Sequence, residues 1–194
     1  LSAGPLHGPA LLLQDWDQNV PLITLDFDRV VLDGTAGAAL GLEHLGEVLE
    51  FLARHKKENP DKPFFLFHSM QAVHLPSFPG KDFKGKTDSG PHGDFIFEMD
   101  HVVGELTKAL EKHGFSDDTL IIFSSDNGPE VPTVINMRKT HKHDGARPWR
   151  GVKRDNWEGG HRVPMLVRWP GKVKAGSVSE QTVCLTDLMA TCAK

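Results

Sequence analysis

The sequence has few cysteines, little net charge and no long apolar run, and each absence excludes a class of protein. Cys184 and Cys192 are its only cysteines, too few for a disulfide framework or a cysteine-based zinc site, and we expect both to be buried as small apolar side chains. The formal net charge of −4 gives no general attraction to nucleic acid or to an anionic membrane. No apolar run approaches the roughly 18 residues of a membrane span, and Leu11–Leu13 is too short for a signal-peptide core.

The order of the apolar segments predicts an α/β fold. Two segments show helical spacing, one ending near Pro60 and the other before a C-cap at Gly114: Leu42, Leu45, Leu49 and Leu52, then Ile96, Met99, Val103, Leu106 and Leu110. Apolar runs of strand length lie at 22–27, 64–67, 119–124 and 163–169. Helices that alternate with such strands indicate a mostly parallel or mixed sheet flanked by helices. The polar stretches 76–92 and 129–150 predict loops, and residues 186–192 predict the start of a last helix.

The end of the third apolar run carries the strongest chemical signal. Strand-like residues lead directly into Asp126, Asn127, Gly128 and Pro129, which cannot continue a strand. In open α/β sheets, ligands bind at the carboxyl ends of strands. A carboxylate and an amide oxygen together suit Ca²⁺ or Mg²⁺ better than a soft metal. The alternative is a simple turn in which these side chains cap the strand.

Two other single residues could act on an anion. His74 follows the second apolar run and could be a general acid, an anion-binding donor or only a structural hydrogen-bonding group. Lys153 lies among glycines, which allow the backbone and the ammonium group to approach an anion closely; the alternative is a solvated basic loop. Glu158 should anchor that loop by pairing with Arg162 or Arg150.

A fourth cluster, His141-Lys142-His143-Asp144, lies in a basic stretch. Its spacing could bind a transition metal, although the neighbouring basic residues disfavour that. It could also form a mobile basic lid over an anionic substrate. A plain solvated loop is the third interpretation.

The strand-like run at 22–27 ends in Asp26 and Asp28. A strand that ends in Asp-x-Asp is how haloacid-dehalogenase-type phosphatases present their nucleophile and acid. This pattern is a short signal, because the downstream lysine and the second acidic pair of such enzymes are not convincingly placed.

Several motifs in a fixed order carry a more specific signal than any one of them. They are Pro63-Phe64-Phe65-Leu66, Gln71-Ala72-Val73-His74-Leu75-Pro76, Gly93-Asp94-Phe95-Ile96-Phe97-Glu98-Met99-Asp100, Val103-Gly104, Thr119 to Pro129, Arg150-Gly151-Val152-Lys153, Glu158-Gly159-Gly160-His161-Arg162-Val163-Pro164, Trp169-Pro170-Gly171 and Asp187-Leu188. In this order the chain resembles the type I, formylglycine-dependent sulfatases of the alkaline phosphatase superfamily. The resemblance is clear over residues 62–194 and weak over 1–61, as for a partial catalytic domain.

The resemblance implies a sulfuric ester hydrolase whose substrate is a sulfated small molecule or glycan. It implies that Asp126 and Asn127 are two ligands of a Ca²⁺, or of Mg²⁺ in its place. Lys153 would contact the sulfate and neutralise charge on the ester oxygen, and His74 would also contact the sulfate and protonate the departing alcohol. Glu98 would belong to helix packing. A secreted, periplasmic or lysosomal protein is the expectation for localisation.

The sequence departs from this family at the nucleophile. The formylglycine of the family arises from Cys or Ser in a Cys/Ser-x-Pro-x-Arg motif, which these 194 residues lack. Residues 77–81 come nearest, with Lys81 in place of arginine, and predict only surface loop. The paired aspartates that complete the metal site and an earlier Lys/His segment are also missing. We therefore expect an internal piece of a sulfatase domain that is inactive alone, with a non-catalytic anion-binding module as an alternative.

Overall fold

The computed structural model describes residues 40–192. In chain order the elements are α1 (Leu40–Glu58), α2 (Gly90–Lys112), β1 (Ile121–Ser124), α3 (Val131–Thr140), α4 (Glu158–His161), β2 (Met165–Arg168) and α5 (Asp187–Cys192). The run predicted as a strand at 22–27, with Asp26 and Asp28, lies outside the described residues. Within residues 40–192, every helix is too short or too polar to cross a membrane.

The main core lies between α1 and α2, as the helical spacing of the first leucine segment predicts. Leu52 is completely buried and packs with Phe51 of α1 and Ala109 and Leu110 of α2. The partly buried Phe115 covers this cluster. Helix α1 ends at Glu58, because the following Asn59-Pro60 cannot continue it.

Helix α2 ends in a Schellman motif, which confirms the predicted glycine stop. Gly114 has a φ of 72°, a conformation that costs glycine little. Its N–H donates to Glu111 O over 3.0 Å, and the Phe115 N–H donates to Leu110 O over 2.8 Å. These two bonds satisfy terminal carbonyls of the helix, and they turn Phe115 onto the core.

The buried face of α2 differs in part from the predicted one. Leu110 is in the core, but Ile96 is 39% exposed. Met99 and Val103 line an apolar groove of about 230 Å³ together with residues of β1 and β2. The helix therefore has two apolar faces, one toward α1 and one toward the strands, and a single helical stripe describes only part of it.

The described sheet is a two-stranded antiparallel ladder in which Ile121 pairs with Arg168 and Ser124 with Met165. Both strands lie within the predicted runs, and helices with strands confirm the α/β class; no parallel pair occurs within residues 40–192. The predicted strand at 64–67 is wrong for this structure, since none of the described residues pairs with it. Phe65 and Phe67 are 54% and 66% exposed.

The predicted loop 129–150 contains a helix, α3, so the loop prediction is wrong for residues 131–140. Glu130 is its N-cap, and its side chain accepts a hydrogen bond from Val131 N, one of the first N–H groups of the helix, which have no partner inside it. Only one narrow face of α3 is buried, formed by Thr133, Val134 and Met137. Because the other residues of α3 are mostly polar or exposed, the sequence lacks the apolar spacing from which a helix would be predicted.

The predicted loop 76–92 contains no strand and only the first turn of α2, and a buried carboxylate holds it against that helix. Asp94 accepts hydrogen bonds from Gly85 N over 2.7 Å and from Thr87 N over 2.8 Å. Burial of Asp94 opposes its ionisation, but these hydrogen bonds outweigh the burial and hold its pKa below the ordinary value. Glu98 has the packing role expected of it, since it is 1% exposed and accepts from Gly80 N over 2.6 Å.

Candidate functional site

Asp126 and Asn127 lie immediately beyond the carboxyl end of β1, where the sequence predicts them. The Asp126 carboxylate is exposed, and none of the residues 40–192 donates a hydrogen bond to it or forms an ion pair with it. The Asn127 amide nitrogen donates to Gly128 O over 3.2 Å, which leaves its side-chain oxygen available. Ser125 Oγ donates to Asn127 O over 3.2 Å and stiffens the turn. Two hard oxygen donors are thus presented side by side.

A close contact between backbones fixes this turn against the segment that contains Lys153. Gly128 N donates to Gly160 O over 2.9 Å. A Cβ atom on Gly128 would lie 1.8 Å from Gly159 O, so only glycine fits there. The glycines around Lys153 are predicted to leave space for an anion, whereas Gly159 and Gly160 are buried and make space for backbone of residues 150–155. A Cβ atom on Gly159 would lie 2.2 Å from Gly151 O, and one on Gly160 would lie 2.1 Å from Asp155 O.

Lys153 is held at both ends by residues that follow Asn127. Its N–H donates to Pro129 O over 2.9 Å, and its ammonium nitrogen lies 3.7 Å from Glu130 Oε2. Both side chains are largely shielded, with 20% of Lys153 and 17% of Glu130 exposed. The structure therefore brings Lys153 and the Asp126-Asn127 turn together, through Pro129 and Glu130.

Glu130 is the residue of this region that the sequence analysis misses. Its other carboxylate oxygen accepts a hydrogen bond from Arg154, which lowers its pKa and keeps it ionised. The sequence shows only an acidic residue three positions after Asn127; its contacts with Lys153 and Arg154 become visible in the structure.

His74 lies on a separate turn. Its N–H donates to Gln71 O over 2.8 Å, and its Nδ1 donates to Leu75 O over 2.6 Å. The second bond orients the ring and leaves Nε2 free. Within residues 40–192, no hydrogen bond or ion pair joins His74 to the other three site residues. Its place in the same site remains a prediction.

The charged residues near Lys153 are mostly paired with one another. Glu158 Oε2 accepts from Arg162 over 2.8 Å, which confirms one of its two predicted partners. The other, Arg150, stacks on Trp157 instead, with its guanidinium carbon 3.8 Å from the ring centre. These contacts make residues 150–162 an ordered segment.

Asp144 shows what the His141–Asp144 cluster does in this structure. Its carboxylate accepts from Arg138 Nε over 2.8 Å and Nη2 over 3.0 Å, and it pairs with Arg147. The hydrogen bond from Arg138 lowers the pKa of Asp144. A carboxylate engaged by two guanidinium groups is a poor metal ligand. Asp144 is therefore not available as the acidic ligand of a transition-metal site in this cluster. The cluster is a salt-bridged end to α3.

The side-chain oxygens of Asp126 and Asn127 are the type of ligand that a hard cation prefers, but two residues supply too few ligands for a complete site. Among the described residues, no group of three or more histidine, cysteine, aspartate or glutamate side chains could hold a metal ion. Ca²⁺ takes six to eight oxygen ligands, so this turn supplies part of a site. The cysteines add no ligand: both are free and exposed, and the prediction of buried cysteines is wrong.

Most of the chain is similar to known proteins. The sequence model of the family described as Sulfatase matches residues 42–194, which adds α1 to the matched part. The chain is 38% identical to human steryl-sulfatase over 76% of the chain and 24% of that protein. It is 39% identical to an N-acetylgalactosamine-6-O-sulfatase of Bacteroides thetaiotaomicron over 64% of the chain and 24% of that protein.

A solved structure, the PsFucS1 sulfatase from Pseudoalteromonas sp., superposes with a TM-score of 0.68 at 35% identity. The superposition covers 78% of this chain and 28% of that one, so the fold is that of an incomplete sulfatase domain. The chain spans about a quarter of the length of the relatives that it matches. With more than three quarters of its residues matched by one family model, this chain belongs to the sulfatase family.

Proposed function

We propose that the intact protein containing this chain hydrolyses sulfate esters, and that this chain contributes part of its metal site and part of its anion site. The observation that carries the proposal is the backbone contact that fixes Lys153 beside the Asp126-Asn127 turn. A lysine on a segment that contacts a turn with two metal-type oxygen donors is suited to an anionic reaction centre. Two relatives are named as sulfatases, a steryl-sulfatase and an N-acetylgalactosamine-6-O-sulfatase, and these names support sulfate ester hydrolysis as the reaction class.

The chemistry follows from the charges that the reaction creates. Asp126 and Asn127 would hold Ca²⁺, or Mg²⁺ in its place, and the bound cation would supply positive charge to the sulfate oxygens. Lys153 would donate to the sulfate and stabilise negative charge on the ester oxygen. His74, with Nδ1 bonded to Leu75 O, would hold at Nε2 the proton that passes to the departing alcohol.

The nucleophile has to come from elsewhere in the intact protein. The family uses a formylglycine, and its Cys/Ser-x-Pro-x-Arg motif does not occur in these 194 residues. The chain by itself should therefore bind without turnover. A sulfated sugar is the substrate class that we favour, because one relative is named for a sulfated amino sugar.

The test is the hydrolysis of a chromogenic aryl sulfate by the intact protein. Lys153→Ala should lower kcat/KM by about a hundredfold, the usual cost of removing one transition-state donor. Lys172→Ala, which removes a lysine from an exposed turn, is the matched control and should leave the rate unchanged. A wild-type rate in Lys153→Ala would contradict the proposal.

Two alternatives give different results in the same assays. Phosphate release that depends on Mg²⁺ and is lost in Asp26→Asn would indicate the phosphatase interpretation. Binding of a sulfated glycan by the intact protein without any turnover would indicate a non-catalytic module. No observation on the described residues favours either.

A further inference from the structure

Glu130 makes contacts that a simple helix cap does not need. Its Oε2 lies 3.7 Å from the ammonium nitrogen of Lys153, and its Oε1 accepts from Arg154. The preceding residue, Pro129, accepts the backbone N–H of Lys153 over 2.9 Å. Two consecutive residues therefore hold one lysine, one by its backbone and one by its charge.

The length of the Glu130–Lys153 contact is informative. At 3.7 Å the two charges attract each other, but the distance exceeds that of a hydrogen bond. Lys153 therefore keeps its N–H donors available for an anion while the carboxylate limits where its side chain can point. A long side chain with one nearby counter-charge loses fewer orientations on binding a ligand than a free lysine does.

Glu130 stays available for this role because its own position is fixed. It is the N-cap of α3, where its side chain accepts from Val131 N over 3.3 Å and its carbonyl accepts from Thr133 Oγ1 over 2.6 Å. The hydrogen bond from Arg154 also anchors the carboxylate. A carboxylate that is held by its own helix can in turn orient a flexible neighbour.

We propose that Glu130 is a positioning residue, which aims the Lys153 ammonium group at the anion site without touching the substrate. This inference rests on the proposed function, since it concerns the same site. It adds a residue to which neither the resemblance nor the sequence analysis gave a role. A misplaced catalytic group can cost up to about a hundredfold in rate.

The competing explanations predict different changes in sulfate binding. If Glu130 only supported α3, Glu130→Ala would reduce the amount of folded enzyme and leave the Ki for inorganic sulfate unchanged. If Glu130 only contributed negative charge near the site, its removal would make sulfate bind more tightly. If Glu130 positions Lys153, its removal weakens sulfate binding.

The experiment measures kcat/KM for an aryl sulfate and Ki for inorganic sulfate in the intact protein. Glu130→Ala should lower kcat/KM by about tenfold to a hundredfold and raise Ki. Glu130→Gln, which keeps the shape and the cap acceptor but not the charge, should fall between Glu130→Ala and wild type. Arg154→Met removes one anchor of the Glu130 carboxylate, so it should change both constants in the same direction as Glu130→Ala but by less. Lys172→Ala, on an exposed turn, is the matched control and should leave both constants unchanged.

A double-mutant cycle then tests whether Glu130 acts through Lys153. In a Lys153→Ala background, Glu130→Ala should cause no further loss, because the group that it orients is gone. Additive losses, or an unchanged or lower Ki in Glu130→Ala, would overturn the positioning role and leave the proposed function standing. Failure of the wild-type protein to hydrolyse any sulfate ester would overturn both.

Discussion

Replacing Gly128 with alanine tests the contact that joins the Asp126-Asn127 turn to the lysine segment. The new Cβ would lie 1.8 Å from Gly159 O, whereas real Cβ atoms essentially never approach closer than 3.0 Å. The difference, 3.0 − 1.8 Å, means that the two backbones must separate by about 1.2 Å. The hydrogen bond from Gly128 N to Gly160 O, 2.9 Å long, cannot survive that separation with good geometry.

The expected cost combines these two effects. Overpacking of a well-packed site costs about 1–3 kcal/mol, and a lost hydrogen bond costs about 1 kcal/mol more. The free energy of unfolding should therefore fall by about 2–4 kcal/mol. For a chain of 194 residues this lowers Tm by roughly 5–15 °C.

Thermal unfolding followed by circular dichroism measures the change, with Gly104→Ala as the matched control. Gly104 lies within α2, and a Cβ there would meet no atom within 4 Å, so this variant should be more stable by about 0.5–1 kcal/mol. In the intact protein, Gly128→Ala should also lower aryl sulfate hydrolysis because Lys153 moves relative to the turn. A Tm of Gly128→Ala within about 2 °C of wild type would show that the contact between Gly128 and Gly159 does not hold the two segments together.

Two further predictions concern Asp94 and the cysteines. Asp94→Asn should lower stability by about 1–3 kcal/mol at pH 7, whereas Asp100→Asn, an exposed control, should not. The folded-state pKa of Asp94 is below its ordinary value of 3.8. The stability that ionised Asp94 contributes is therefore present above pH 3.8 and is lost as the pH falls through the folded-state pKa. A Tm difference between Asp94→Asn and wild type that does not shrink below about pH 4 would contradict this. Cys184 and Cys192, both exposed, should react with a thiol reagent in the native chain. Hydrogen bonding by Thr186 lowers the pKa of Cys184, so its alkylation should be faster than that of an unperturbed thiol at pH 8.

The elements that the sequence predicts well are those whose signal is local. Helix α1 has a regular leucine spacing and a proline just after its end, and α2 ends at the predicted glycine. The strands β1 and β2 lie within apolar runs bounded by turn residues. In each case the residues that decide the structure are adjacent in the chain.

The elements that the sequence does not predict depend on partners far away in the chain. The run at 64–67 is as apolar as a strand, but a strand also needs a paired neighbour, which composition does not reveal. Helix α3 buries only Thr133, Val134 and Met137, and its polar remainder reads as loop. Cysteines are generally buried, but burial requires another segment to cover them, and the sequence near Cys184 and Cys192 does not show whether one does.

The same distinction applies to the site. Asp126, Asn127 and Lys153 stand out in the sequence because of their motifs, and the structure places them on two segments in contact. The contact itself depends on Gly128 meeting Gly159 across 31 residues, which no local pattern shows. The role of Glu130 depends on the side chain of Lys153, which is 23 residues away in the chain (153 − 130).

The most direct measurement is a crystal structure of the intact protein with Ca²⁺ and sulfate. We predict side-chain oxygens of Asp126 and Asn127 at about 2.3–2.6 Å from the cation. The Lys153 ammonium group and the His74 Nε2 atom should each lie about 2.7–3.2 Å from a sulfate oxygen. A cation held without Asp126 and Asn127, or a sulfate bound away from Lys153 and His74, would contradict the account.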